Sequence, residues 1–106
     1  MLIDSLYKKL INLPTIININ DEIFFINELQ KANIDDIKLN IDKFISILEL
    51  LQTSHQDNGI FEVTPENVDI FFNFVFWIKE IQDKIGFNID KYTDGFDTNF
   101  DGSIKI

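Results

Sequence analysis

The sequence predicts an α+β fold that is mainly helical, with about four helices and a small C-terminal antiparallel β-meander. The helices are indicated by apolar residues that recur at helical spacing and by start and stop signals around them. The meander is indicated by two Asp-Gly pairs that separate three short β-prone runs. The chain has 106 residues and no linker-like stretch, so residues 1–106 are predicted to form a single domain.

The N-terminal part of the chain predicts one regular helix and one ambiguous region. Apolar residues from Leu2 to Ile11 share helical spacing, and Pro14 ends this helix. Residues 15–33 begin with TIININ, which alternates like a strand, whereas the residues from Asn20 onward indicate a helix start. We favour an extended piece followed by a helix, with a hairpin as the alternative.

The middle of the chain carries the clearest amphipathic pattern. Apolar residues from Ile37 to Leu51 fall on one face of a helix, with polar residues opposite. This helix is predicted to end in a polar stretch that contains Asn58 and Gly59, because Asn-Gly is a strong turn signal. Residues 60–63 then suit a short strand that joins the C-terminal sheet.

The last predicted helix begins at a hydroxyl cap followed by proline, Thr64-Pro65, and runs to about Ile85. Gly86 can adopt the left-handed conformation that ends a helix. Apolar residues cover more than half of its circumference, so we expect this helix to be central or to lie at a subunit interface. After it, residues 87–93, 96–100 and 103–106 form the three runs of the predicted meander.

The amino-acid composition limits the classes of molecule that this protein is expected to bind. The chain has 18 acidic residues, 9 basic residues and a formal net charge of -9. Such a surface repels nucleic acid and anionic lipid and attracts a basic protein. The chain has no cysteine, and its N-terminus lacks the order of a signal peptide. The longest apolar stretch, Ile70 to Ile78, is too short to span a membrane, so we expect a cytoplasmic protein that contacts no membrane.

The segment from Asp97 to Ile104, DTNFDGSI, resembles the first part of an EF-hand or dockerin calcium loop. The resemblance implies that Asp97, Asn99 and Asp101 supply oxygen ligands and that Gly102 allows the sharp turn. It departs from the family pattern because the sequence ends at Ile106, before the bidentate acidic ligand. We therefore predict a hairpin turn here, with no metal and no cofactor, and keep calcium binding as an alternative.

No arrangement of residues indicates catalysis, so the sequence predicts a protein that is not an enzyme. His55 is the only histidine, and it falls in the polar stretch that we interpret as a solvated turn. Asp35 and Asp36 precede a helix and are interpreted as residues that stabilise its N-terminus rather than as an acid–base pair. No catalytic residue is assigned.

Acidic residues with aromatic neighbours are the candidate partner-binding residues. Phe76 falls inside the polar strip of the last helix, where it is either a binding hot spot or, as we slightly favour, core. The C-terminal region would supply acidic groups that steer a basic partner and two aromatic anchors. The candidate residues are Asp90, Tyr92, Asp94, Phe96, Asp97, Asp101 and Phe76.

These observations favour a small acidic protein-binding inhibitor, such as an immunity protein or antitoxin that neutralises a basic toxin, for instance a nuclease. One alternative is a calcium-binding module that uses the incomplete EF-hand-like loop. Another is a chaperone for a secreted effector, with a homodimer formed through the 65–85 helix.

Overall fold

In a computed structural model, which describes residues 1–14, 17–92 and 96, the chain forms five α-helices and one short 3-10 helix. The α-helices are α1 Leu2–Ile11, α2 Ile19–Leu29, α3 Ile34–Leu39, α4 Ile41–Glu62 and α5 Val68–Ile85, and the 3-10 helix is Asp90–Tyr92. The prediction of a mainly helical chain is confirmed. None of these described helices is long and apolar enough to cross a membrane.

The predicted C-terminal β-meander is wrong, because the described part of the chain contains no strand. In the first predicted run, 87–93, side chains of two helices satisfy the backbone instead of a neighbouring strand. Gln82 Oε1 accepts a hydrogen bond from the Ile89 amide at 2.6 Å, and Gln52 donates one to the Lys91 carbonyl at 3.3 Å. Residues 93–95 and 97–106, which hold the rest of the predicted meander, lie outside the described residues.

The ambiguous N-terminal region contains a helix, so the hairpin alternative is wrong. The Asn18 side chain accepts a hydrogen bond from the Asp21 amide at 2.9 Å and thereby caps α2. Such a cap satisfies an amide that the first turn of a helix leaves without a partner. The helix therefore starts at Ile19, one residue before the predicted signal at Asn20.

The amphipathic stretch in the middle of the chain forms two helices, α3 and α4, rather than one. They meet at Asn40, which has a non-helical conformation with φ -122 and ψ 37. The Asn40 side-chain amide donates hydrogen bonds to the Asp36 carbonyl at 3.2 Å and to Asp36 Oδ1 at 3.0 Å. The side chain of asparagine can bond to nearby backbone groups in this way, and such bonds compete with the backbone hydrogen bonds of a helix. This competition explains why Asn40 interrupts an otherwise helical pattern.

The predicted end of that stretch is also wrong, because α4 continues to Glu62 and passes through Asn58 and Gly59. The predicted strand at residues 60–63 is consequently absent. The Asn58 side chain donates a hydrogen bond to the Ile17 carbonyl. This contact with the segment before α2 outweighs the local turn preference of the Asn-Gly pair, as tertiary contacts commonly do.

The helix α5 ends where the sequence predicts, at Gly86, which has φ 71 and ψ 27. It begins at Val68, three residues after Pro65, because residues 65–67 form a turn. As expected for so apolar a helix, α5 is packed on several sides: it lies on α2 and α3 and meets α4 through aromatic rings. The helix that packs against α1, α2, α3 and the 3-10 helix is α4.

Aromatic rings fill the space between α4 and α5. Trp77 of α5 lies edge-on to Phe44 of α4 at 6.2 Å between ring centroids, and it stacks on Phe74 at 6.0 Å. Phe96 approaches the core from the C-terminal side and lies 5.4 Å from Phe74. Such pairs add to the free energy gained by burying the rings.

Candidate functional site

The outward face of α5 forms a line of exposed side chains, here called the α5 strip. Its members follow one another at intervals of three or four residues, which places them on one side of a helix. They are Asp69, Asn73, Phe76, Glu80 and Asp83. At 1.5 Å per residue, the strip extends over about 21 Å.

Phe76 is the only apolar member of the α5 strip. Its side chain is 67% exposed, the largest exposed fraction among the described aromatic residues. Phe74, Val75 and Ile78 on either side of it in sequence are buried. At ~100° per residue, Phe76 points away from those neighbours and from the core, so the interpretation of Phe76 as core is wrong.

The carboxylates of the α5 strip differ in whether they form an ion pair with a lysine. Glu80 forms an ion pair with Lys84 at 3.3 Å, one turn further along the helix. No ion pair within the described residues involves Asp69 or Asp83. These two carboxylates lie seven residues before and seven residues after Phe76, each without a direct ion pair among the described residues.

The other predicted partner-binding residues do not join this strip. Asp90 is exposed in the 3-10 helix, which packs on α4, and Tyr92 is half-buried against the core. The prediction that Phe96 is a surface anchor is wrong, since its ring is fully buried. Asp94, Asp97 and Asp101 lie outside the described residues.

A second unusual feature lies in the core, where Glu22 of α2 meets His55 of α4. Oxygen Oε1 of Glu22 and Nδ1 of His55 are 2.6 Å apart, and both side chains have 0% exposure. The imidazole contacts the rings of Phe71 and Phe96, at 4.5 Å and 4.6 Å between centroids. The interpretation of His55 as a solvated turn residue is therefore wrong.

Burial is the largest influence on the pKa of Glu22. Loss of water around the carboxyl raises the pKa of Glu22 above its ordinary value of 4.5, because a low dielectric disfavours the charged form. The hydrogen bond and charge of His55 act in the opposite direction and lower it. The second oxygen of Glu22, Oε2, is buried without a hydrogen-bond partner among the described residues.

Helical spacing contained the signal for both buried polar residues. Glu22 precedes Phe25, Ile26 and Leu29 by three, four and seven residues, so it belongs to the buried face of α2. His55 likewise follows the buried Leu51 by four residues. If the buried face of each helix is continued past one polar residue, both Glu22 and His55 are predicted to lie in the core.

Asp36 is a further buried acid, and its contacts are structural. Its Oδ2 accepts a hydrogen bond from the Ile3 amide at 3.2 Å, which ties the start of α1 to α3. Asn33 caps α3 by accepting a hydrogen bond from the Asp36 amide at 2.8 Å. Asp35 and Asp36 lie in the first turn of α3, as predicted, and Asn33 supplies its side-chain cap. Asp36 also fastens α1 to α3.

A groove of about 200 Å³ lies between the end of α1 and α4, lined by Leu10, Ile11, Leu13, Pro14 and Leu50. The described residues contain no group of three or more side chains that could hold a metal ion. The calcium-loop resemblance at Asp97–Ile104 lies outside the described residues and stays a prediction.

Comparisons with protein-family models, with curated proteins and with solved structures give no match to this chain.

Proposed function

We propose that the protein is a small acidic inhibitor, of the immunity or antitoxin type, that neutralises a basic toxin by binding to it in the cytoplasm. The observation that carries the proposal is the exposed Phe76 ring within the acidic α5 strip. A large aromatic side chain costs free energy when water covers it, and binding to another protein recovers that cost. Exposed aromatic residues are accordingly common as interface anchors.

The charge of the strip favours a basic partner. Asp69 and Asp83 form no ion pair with a described lysine. Complementary charge speeds the encounter of two proteins and fixes their orientation, while the anchor supplies affinity. The net charge of -9 extends this attraction beyond the strip.

The same charges argue against a second copy of the chain as the partner. A symmetric dimer through α5 would bring the two strips together and place like charges close to one another. The apolar face of α5 is also used already, since Phe71, Phe74, Val75, Ile78 and Ile81 are buried within the protein. This packing accounts for the apolar character of α5 without a dimer.

A nuclease is the kind of toxin that fits best. Nucleases must approach phosphate groups, and proteins that do so present clustered lysine or arginine. An acidic inhibitor can cover such a surface and exclude nucleic acid by charge as well as by contact. The α5 strip offers carboxylates on both sides of an aromatic anchor for this purpose.

The experiment begins with capture of partners from the native cell and identification of any basic protein that is retained. The candidate partner is then purified and its association with this protein is measured, together with its toxicity in cells that co-express this protein. We expect Phe76→Ser to weaken binding about 30-fold or more, which corresponds to a hot spot of at least about 2 kcal/mol. It should also abolish protection.

Ile11→Ser is the matched control, because Ile11 is also apolar and 53% exposed but lies on α1, which packs against α4. It should leave affinity and protection unchanged. The association rate with the wild-type protein should fall as salt rises, since exposed charges are screened beyond about 8 Å at physiological ionic strength. Equal loss in both variants, or an association rate insensitive to salt, would contradict the proposal.

A further inference from the structure

The two ends of the α5 strip differ in the charges that surround their carboxylates. Asp69 and Asp83 are equally far from Phe76, at seven residues or about 10 Å along the helix axis on either side. Both aspartates are exposed. The surroundings of one acid can therefore be compared with those of the other at a fixed distance from the aromatic anchor.

The end of the strip that contains Asp69 has no lysine nearby on α5. The first lysine of this helix is Lys79, ten residues further on. Glu66, in the turn three residues before Asp69, is exposed and adds a second negative charge. Its carboxylate accepts hydrogen bonds from its own backbone amide and from the Thr64 side chain, and both lower its pKa. No ion pair within the described residues involves Glu66 or Asp69.

The end that contains Asp83 is different, because it also contains two exposed lysines. Lys84 forms the ion pair with Glu80 at 3.3 Å. Lys79 precedes Asp83 by four residues, a spacing that brings two Cβ atoms to about 5–6 Å on a helix. This distance is shorter than the screening length of about 8 Å at physiological ionic strength, so the lysine weakens the field of the aspartate.

The helix dipole narrows the difference between the two ends without reversing it. Residues 66–76 include two acids and no lysine, whereas residues 77–86 include two acids and two lysines. Aligned peptide groups add about half a positive charge at the N-terminus of a helix and about half a negative charge at its C-terminus. With the dipole included, the first half carries about -1.5 charges and the second half about -0.5. The Asp69 end is therefore the more negative one.

We infer that the partner carries its positive charge on only one side of the pocket that receives Phe76, and that this side faces Glu66 and Asp69. A basic group placed there meets two acids, whereas the same group at the other end meets Lys79 and Lys84 and is repelled. The charges thus set the orientation of the partner along α5, while the aromatic anchor supplies affinity. This inference rests on the proposed function, since it concerns the same surface and the same basic partner.

The first test compares two matched variants, Asp69→Asn and Asp83→Asn, in binding to the basic partner captured from the native cell and purified. Each variant removes one exposed carboxylate at the same distance from Phe76. We expect Asp69→Asn to weaken binding about threefold at low salt, as for the loss of an exposed ion pair. Asp83→Asn should weaken it less than about 1.5-fold. An equal or larger effect of Asp83→Asn would overturn the inference.

Charged spin labels in solution test the asymmetry of the field without a partner. A cationic nitroxide and an anionic one each broaden the amide resonances of nearby residues, and the ratio of the two effects reports the local potential. The ratio of cationic to anionic broadening should be larger at residues 68–70 than at residues 82–84. The double variant Lys79→Gln with Lys84→Gln should raise the ratio at residues 82–84 at least to that of 68–70. Equal ratios in the wild-type protein, or no rise in the double variant, would overturn the inference.

The Phe76→Ser variant separates a failure of this inference from a failure of the proposed function. If Phe76→Ser leaves binding to the purified basic partner unchanged, this surface is not the site and both are overturned. If Phe76→Ser weakens binding while Asp69→Asn and Asp83→Asn act equally, the α5 strip binds the partner and only the one-sided orientation is overturned. A loss with Phe76→Ser together with unequal effects of the two aspartate variants is the expected result.

Discussion

The two longest helices, α4 and α5, each contain a residue that violates the usual polar-outside arrangement, but in opposite directions. On α4 the violation is inward, since His55 is a polar residue in the core. On α5 it is outward, since Phe76 is a large apolar residue at the surface. Glu22 pairs with the buried His55 inside the molecule, whereas no described residue covers the exposed Phe76.

This difference separates two roles that a residue of unexpected polarity can have. A buried polar group with a partner of its own contributes to the fold and needs no second molecule to explain it. An uncovered aromatic side chain is explained more directly by something that binds there. His55 is therefore expected to contribute to stability, and Phe76 is the residue that we propose for recognition.

The largest expected effect comes from removing His55 of α4, the buried partner of Glu22. His55→Ala should cost about 3–5 kcal/mol because it leaves the Glu22 carboxylate buried without its partner, and the loss of the ring contacts with Phe71 and Phe96 adds to this cost. Urea unfolding at pH 7 measures the change. Gln56→Ala, at the adjacent exposed position, should stay within about 0.5 kcal/mol of wild type; a similar loss there would break the comparison.

Two phenylalanines of α5 test the other half of the comparison. Phe74→Ala should cost about 3–5 kcal/mol because it opens a cavity beside Trp77 and Phe96. Phe76→Ala should change the free energy of unfolding by less than about 0.5 kcal/mol. Chemical denaturation followed by Trp77 fluorescence compares the two. If Phe76→Ala were as costly as Phe74→Ala, the ring would belong to the fold and not to recognition.

The end of α5 gives a smaller effect. Gly86→Ala should cost about 1 kcal/mol, because an alanine at φ 71 brings its Cβ too close to the backbone. Open space around this position rules out a clash with other residues as the cause. Gly86→Asn is the control and should lose less, since asparagine tolerates the left-handed conformation better. Thermal unfolding distinguishes the two, and equal losses would assign the cost to something other than backbone strain.

The smallest expected effect concerns a partly buried ion pair, Asp4 with Lys43, which contrasts with the fully buried Glu22–His55 pair. Hydrogen bonds from Lys43 and Lys8 lower the pKa of Asp4 from 3.8 to about 2. Its contribution to stability is therefore present above about pH 4 and is lost as the pH falls toward 2. Melting temperatures of wild type and Asp4→Asn should converge over that range. A difference that persisted at pH 2 would show that the aspartate acts by some means other than its charge.

The sequence predicts most of the helices because their signals are local. The apolar spacing from Ile37 to Leu51, the start of α2 near Asn20 and the left-handed Gly86 each depend on residues within a few positions of one another. The end of α4 could not be predicted in this way. Asn58 bonds to Ile17, 41 residues away, and no local rule weighs such a contact against a turn signal.

The sequence predicts only part of the candidate site, because its local signals do not report contacts between distant parts of the chain. Phe76 could be located within the polar strip from helical spacing alone, although its exposure could not be decided. The strand pattern of its segment predicts that Phe96 lies at the surface, whereas its ring completes the core beside Phe74. The prediction for His55 is wrong because the Asn58-Gly59 signal ends α4 too early, and a histidine in a turn and a histidine on a buried helical face have opposite environments.

The attachment of Ile17 to α4 has a consequence for the order of folding. Its amide donates to Ser54 at 3.1 Å and its carbonyl accepts from Asn58, so the chain must close loops of 37 and 41 residues to make both bonds. Helical segments form in about a microsecond or less, and long loops carry a greater entropic cost. We expect α4 to be helical before the segment between α1 and α2 is fastened to it, and this junction to open early when the protein begins to unfold.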